Sequence, residues 1–253
     1  MIKYSILLPL FLLLLFSSCS EEEKKEPKQL LIGFSQCTTG DDWRKKMNEE
    51  MKREISFFRD YDIDLIIKDA HNSNEKQIND IHHLVDQGID LLILSPNEAE
   101  PLTPVVEEVY QEGIPVIVID RRIHSDKFTA YIGADNYSIG KEAGKFAIEL
   151  LKEKGRILEI TGLKGSTPAM ERSKGFRKAI EDYTGMRIVK SIEGEWLLEK
   201  TRQLTDSLFQ TFEAFDLIFA HNDRMARSAY LSGEKYGISK HIIGIDGLNK
   251  PDR

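Results

Sequence analysis

Asp120-Arg121, His221-Asn222-Asp223 and Asp246-Gly247 each stand at the carboxyl end of a short apolar run. Ser35-Gln36, Lys68-Asp69 and Ser95-Pro96-Asn97 occupy the same position after three other runs. These side chains are acids, guanidiniums, amides and hydroxyls. A carboxylate accepts paired hydrogen bonds, a guanidinium donates them, and an amide does both. The set suits a ligand rich in hydroxyls, each of which donates and accepts. Charge-assisted bonds of this kind contribute about 1.5–3 kcal/mol each. No catalytic residue and no metal ligand set stands out, because the chain has no G-x-x-x-x-G-K-[ST], G-x-S-x-G, H-E-x-x-H or C-x-x-C. Binding is the chemistry this pattern favours, with no cofactor called for.

The runs themselves are Leu31–Phe34, Leu65–Ile67, Leu91–Leu94, Val116–Ile119, Leu217–Ala220 and Ile242–Ile245. Continuous apolar runs separated by amphipathic stretches read as buried parallel strands in α/β units. In such sheets ligands bind outside the carboxyl ends of the strands, where the polar residues collect. A first helix is expected from Asp41-Asp42, carrying Met47, Met51, Ile55 and Phe58 inward. A second runs between the caps Asn72-Ser73-Asn74 and Gly88, with Ile78, Ile81 and Val85 inward. A third covers Pro101 to Glu112. After an extended run from Phe128 to Ile132, a helix places Ile139, Ala143, Phe146, Ala147 and Leu150 on one face. The alternation then restarts, with strands at Arg156–Ile160, Met186–Ile192, Asp216–Ala220 and Ile242–Ile245. Helices start near Pro168, Leu197 and Arg224.

The fold class that follows is α/β, with two doubly wound parallel-sheet lobes. The first lobe spans 29–134 and the second 135–253. The final turn at Asp246–Pro251 leaves the last elements of the second lobe missing. Lys3 followed by the apolar stretch Ile6–Phe16 reads as an export signal over 1–18, too short for a comfortable transmembrane helix. Ser17-Ser18 before Cys19 resembles the lipobox of bacterial lipoproteins, which implies lipidation of Cys19. Residues 19–28 form a charged tether. Removing the signal leaves 235 residues, enough for two modest lobes. A net charge of −7 argues against a nucleic-acid partner. Cys37 is then unpaired and reads as a semi-buried, inert thiol.

Five segments carry a family resemblance. They are Gly113–Arg121, Gly133–Asn136 with Gly140, Glu171–Phe176, Phe219–Asp223 with Met225-Ala226, and Ile243–Gly247. In this order they resemble the type I periplasmic sugar-binding proteins of the ribose- and galactose-binding kind. Ser35-Gln36-Cys37 with Asp42-Trp43-Arg44, Lys68–His71 and Ser95–Pro101 look like the periplasmic sensor domains of hybrid two-component carbohydrate sensors.

The resemblance implies that Asp120 and Arg121 bind sugar hydroxyls, with Arg172, Asn222 and Asp246 acting from the second lobe. Trp43 and Trp196 match aromatic platforms, one from each lobe. The first loop, with Asp42, departs from the ribose-type pattern and leaves its contacts and the sugar's identity open. The implied ligand is a sugar or short oligosaccharide, and the implied location is the bacterial periplasm. A downstream membrane kinase module or an ABC permease is the implied partner. An effector domain of a sugar-responsive repressor shares the fold but calls for a helix-turn-helix where the export signal stands. Gly162–Thr167 lacks the Lys-Ser/Thr of a phosphate loop and reads as an edge of the cleft. His82-His83 are adjacent on a helix and point in different directions, which disfavours a shared metal and leaves them as solvated side chains.

Overall fold

A computed structural model describes residues 29–58, 61–211 and 214–247. The expected export signal, Cys19, the tether and the terminal turn after Gly247 lie outside the described residues. Five strands form the first sheet: β1 (Leu30–Gln36), β2 (Ile63–Asp69), β3 (Leu91–Ser95), β4 (Val116–Ile119) and β5 (Ala130–Ile132). Their order is β2-β1-β3-β4-β5, parallel throughout. The connecting helices are α1 (Asp42–Ile55), α2 (Asn74–Asp86) and α3 (Ala99–Gln111). The second sheet takes β6 (Gly155–Thr161), β7 (Met186–Glu193), β8 (Leu217–Ala220) and β9 (His241–Ile243) in the order β7-β6-β8-β9. It too is parallel. Around it lie α4 (Asn136–Leu151), α5 (Thr167–Ile180), α6 (Leu198–Phe209) and α7 (Asp223–Tyr236).

Strand order reverses direction at β1/β3 in one sheet and at β6/β8 in the other. Such switch points open a crevice at the carboxyl ends of the flanking strands. Gln36 and Ser95 therefore end the strands of the first crevice, and Thr161 and Ala220 those of the second, with His221 next in the chain. The first core joins Leu92, Leu94, Val116 and Val118 to Ile81, Leu84, Leu102 and Val106 of the helices. The second sheet is apolar on both faces, with Phe176, Leu217 and Phe219 on one and Leu158, Ile218 and Met225 on the other. Burying each such side chain contributes about 1.5–3 kcal/mol, and this fixes the strand register.

Caps set the helix starts. Asp41 accepts from Arg44 N, Ser73 from Lys76 N, Asp135 from Ser138 N and Asn222 from Met225 N. Gly88, at φ 76°, follows α2 as expected for a C′ glycine.

Two helix faces differ from the sequence reading. Phe58 is exposed because α1 ends at Ile55, and Phe57-Phe58 lie in the turn beyond it. Phe146 is exposed because α4 turns its small residues inward instead. Its buried positions are Asn136, Gly140, Gly144 and Ala147, packed on α5. A Cβ at Gly140 would collide with the backbone of Arg172, so only glycine permits this approach. Cys37 is fully buried, where partial burial was expected. His82 and His83 are exposed.

Candidate functional site

The first crevice is a hydrogen-bonded polar floor. Asp120 follows β4 at φ 61°, a left-handed conformation that a non-glycine residue adopts at some cost. Its carboxylate Oδ2 lies 2.7 Å from Arg44 Nη2 and 3.9 Å from Arg121 Nε. Arg44 Nη1 also donates to Gln36 Oε1 at 2.6 Å and to Ser95 Oγ at 2.8 Å. Arg121 donates to the Asn97 carbonyl at 2.7 Å. Buried Gln77 of α2 braces the strand ends, accepting from Asn97 N at 2.8 Å and donating to the Ser95 carbonyl at 3.0 Å. Burial opposes the Arg44 charge, yet Cys37, Asp120 and Asp41 outweigh it and raise its pKa. Burial lowers that of Arg121, with Arg44 adding to the effect.

The second crevice is built on α5 and the strand ends beside it. Arg172 Nε donates to Asn136 Oδ1 at 2.9 Å, and its Nη1 donates to the His221 carbonyl. Trp196 sits at φ 68° after Glu195 at φ 53°, two consecutive left-handed residues. The indole rests on Gly162, where a Cβ would overlap the ring. Arg172 lies 5.6 Å from the indole centroid, and Arg121 reaches it from the first sheet at 5.9 Å. Both distances fall within cation–π range.

Asp246 has φ 116°, a second strained acid at a strand end. Solvent reaches it, but protein on several sides strips part of its hydration. Desolvation, with Asp223, Asp120 and Asp41 nearby, pushes its carboxyl up to about 6 against the opposing pull of Arg172. Those mutual influences place acids and guanidiniums of both sheets in one electrostatic neighbourhood. The sheets also touch directly. Ala99 N donates to Gly165 O at 2.9 Å, and Arg122 N to Thr167 Oγ1 at 2.8 Å. Gly162–Thr167 therefore runs along the junction of the two sheets.

Among the candidates from sequence, Asp120, Arg121, Arg172, Trp196 and Asp246 lie together at this junction. Asn222 lies at the end of β8 and caps α7, its side chain accepting from Met225 N at 2.9 Å. Trp43 is 52% exposed, with the Arg44 guanidinium 5.3 Å from its ring centroid. Asp42 is not brought in. Its side chain is 80% exposed and pairs with Lys45 at 3.6 Å, because Asp42 is the first helical residue while the extended Asp41 before it takes the cap. Asp41 is half-buried, caps the helix by accepting from Arg44 N, and lies near enough to act on the Arg44 charge.

Arg44 went unrecognised by sequence reasoning. Its sequence clue is a cation in the first turn of a helix, where the macrodipole disfavours positive charge. Trp196 Nε1 and Asn97 Oδ1 are buried side-chain atoms without a hydrogen-bond partner. Among the described residues no group of His, Cys, Asp and Glu is arranged to hold a metal ion.

Two parallel α/β sheets whose polar strand ends meet define a two-lobed binding protein. The chain belongs to the periplasmic binding protein domain family, whose model matches residues 32–250. It is 45% identical to the fructose-binding periplasmic domain of the hybrid two-component system BT1754. The TM-score is 0.83, over 88% of this chain and 74% of that one. It is 27% identical to the ribose import binding protein RbsB of Bacillus subtilis, over 96% of this chain and 80% of the relative. The galactofuranose-binding protein YtfQ of Escherichia coli is 29% identical, over 87% of this chain and 71% of that protein.

Proposed function

We propose that this chain binds a sugar in the periplasm, in the gap between its two lobes, as the sensor part of a hybrid two-component system. The observation that carries the reading is the convergence of Asp120 and Arg121 with Arg172, Trp196 and Asp246. Acids there accept from sugar hydroxyls, guanidiniums donate to them, and the indole covers an apolar C–H face. Trp196 Nε1 and Asn97 Oδ1 add a buried donor and acceptor that lack partners, as ligand-facing groups do. Asn222 spends its carbonyl oxygen on the helix cap, so a sugar meets its NH2 end. Trp43 forms the outer lip from the first lobe.

Residues 29–134 and 135–253 act as the two lobes, and a ligand touching both favours the closed state by its differential affinity. Fructose, ribose and galactofuranose are the first ligands to test, since relatives are named for them. Calorimetry against this panel checks the reading. Absence of heat with every sugar, or unchanged affinity in Asp120→Ala, rejects it. Candidate glycosides recovered intact after incubation support binding without turnover.

A second role is favoured by likeness to an import binding protein, namely a lipoprotein receptor anchored through Cys19 that serves an ABC permease. The greater identity to a hybrid-system domain favours the sensor. The coding sequence downstream of Arg253 separates them. A membrane span and histidine kinase support the sensor, and a stop codon after one more helix supports the receptor.

A further inference from the structure

Glu159 lies in the middle of β6, fully buried, where a parallel sheet ordinarily carries an apolar side chain. An isolated charge there is expensive to desolvate. Four groups hold it. Ser173 Oγ donates at 2.7 Å, Ser191 Oγ at 2.6 Å and Arg177 Nη2 at 2.6 Å. The fourth is His221, also fully buried, with Nε2 3.4 Å from Glu159 Oε1. Burial would raise the carboxyl's pKa, but the bonds from His221, Ser191 and Ser173 outweigh it and bring it to about 2.

An ionised carboxylate only accepts, so Nε2 of His221 carries the proton. Nδ1 then presents a lone pair, and the Gly162 N–H donates to it at 3.4 Å. The two contacts assign the same neutral tautomer from opposite sides of the ring. Burial lowers the His221 pKa, with Arg172 and Arg177 adding to the effect against the pull of Glu159. An imidazolium would set a second N–H against that of Gly162 and break the contact.

His221 meets both parts of the second lobe's wall. Its carbonyl accepts from Arg172, and its ring holds Gly162, the seat of the Trp196 indole. The imidazole and indole centroids are 6.3 Å apart. We infer that Glu159 and His221 are positioning residues, which fix Arg172 and Trp196 in their binding arrangement before a ligand arrives. They act through those two side chains. Holding the wall in advance removes an ordering cost from each binding event. The affinity consequence rests on the sugar-binding reading; the conformational consequence does not.

The experiment compares His221→Leu, His221→Gln and Glu159→Gln. Glutamine at 221 keeps an amide donor for Glu159, whereas leucine removes both ring contacts. The chain has two tryptophans, so Trp43→Phe leaves Trp196 as the sole indole reporter for ligand-free fluorescence. His221→Leu should shift Trp196 emission, increase its acrylamide quenching, and weaken the binding of fructose, ribose or galactofuranose by about tenfold. His221→Gln should recover most of each effect, which a loss of packing alone would not predict. Affinity of His221→Leu measured without the Trp43 change keeps that platform intact.

A cooperatively folded His221→Leu protein with native Trp196 emission and affinity overturns the inference. So does a His221→Gln protein as impaired as His221→Leu. If His221→Leu does not fold, Glu159→Gln decides by the same emission and affinity criteria. If the native protein binds no sugar, the proposed function fails, and Trp196 emission in the ligand-free variants still decides this inference.

Discussion

The Arg44 guanidinium and the Asp120 carboxylate meet at 2.7 Å, with Arg44 only 4% exposed. Asp120, at the end of β4, is thus oriented by a residue arriving from α1, 76 positions earlier in the chain. The remaining acceptor capacity of the carboxylate stays available for hydroxyls.

Asp120→Ala should abolish detectable heat with the cognate sugar and also lower the melting temperature. Removing one partner strands the buried Arg44 charge, a loss of about 3–5 kcal/mol for fully buried pairs and less here, because Asp120 is partly solvated. Adding Arg44→Met should restore much of the melting temperature without restoring binding. Calorimetric titration and thermal unfolding of the single and double variants read this. A double variant no more stable than Asp120→Ala counts against the pairing.

Ligand affinity should depend on pH through Asp246. Its folded value, about 6, stands above the ordinary 3.8, so between those values the folded protein holds a proton that the unfolded chain has released. The fold therefore loses stability as pH rises from about 4 to 6, and Asp246→Asn should be relatively more stable above that window. The ionised acid accepts from a hydroxyl more strongly than the protonated one, because the bond is then charge-assisted, so affinity should rise with pH and level off above the folded value. Titrations from pH 5 to 8 on wild type and Asp246→Asn test this. A variant with the wild-type profile rejects Asp246 as the source.

Glu159 should show the opposite linkage. Its folded value is about 2, below the ordinary 4.5, so it stabilises the fold above the latter and loses that contribution as pH falls toward the former. The contribution at neutral pH is on the order of 3 kcal/mol. Denaturant unfolding of wild type and Glu159→Gln should therefore differ at pH 6 and converge toward pH 2. A gap that does not change with pH would show that the carboxylate's ionisation does not matter.

Gly140→Ala should weaken binding through packing. The new Cβ would press on the Arg172 backbone, so α4 and α5 must part. Overpacking of this kind costs about 1–3 kcal/mol. Arg172 moves with its helix, and affinity should fall along with the melting temperature. A structure of the variant with both helices undisplaced and affinity unchanged would refute the argument.

The strands were legible because parallel strands covered on both faces leave uninterrupted apolar runs: Leu217–Ala220 is buried throughout, and Val116–Ile119 is buried on one face and half-buried on the other. Their polar ends were legible for the same reason, since the polarity changes where the sheet stops. Phe146 misled because apolar spacing marks a face without saying which face a neighbouring helix selects. Gly140 and Gly144 allowed the closer approach, and the larger ring was left outside. Asp41 and Asp42 show the finer problem: both are acids at a helix start, and only the residue at which the helix begins separates the capping one from the solvated one.

From the sequence alone came the α/β alternation, the polar strand ends and most of the residues placed around the gap, because periodicity and local chemistry are written along the chain. Tertiary structure decided which of those residues share a space. Arg44 pairing with Asp120, Trp196 seated on Gly162, and His221 joined to Glu159 all link positions distant in sequence. Such links depend on strand order and helix phase, two quantities that no local pattern of residues specifies.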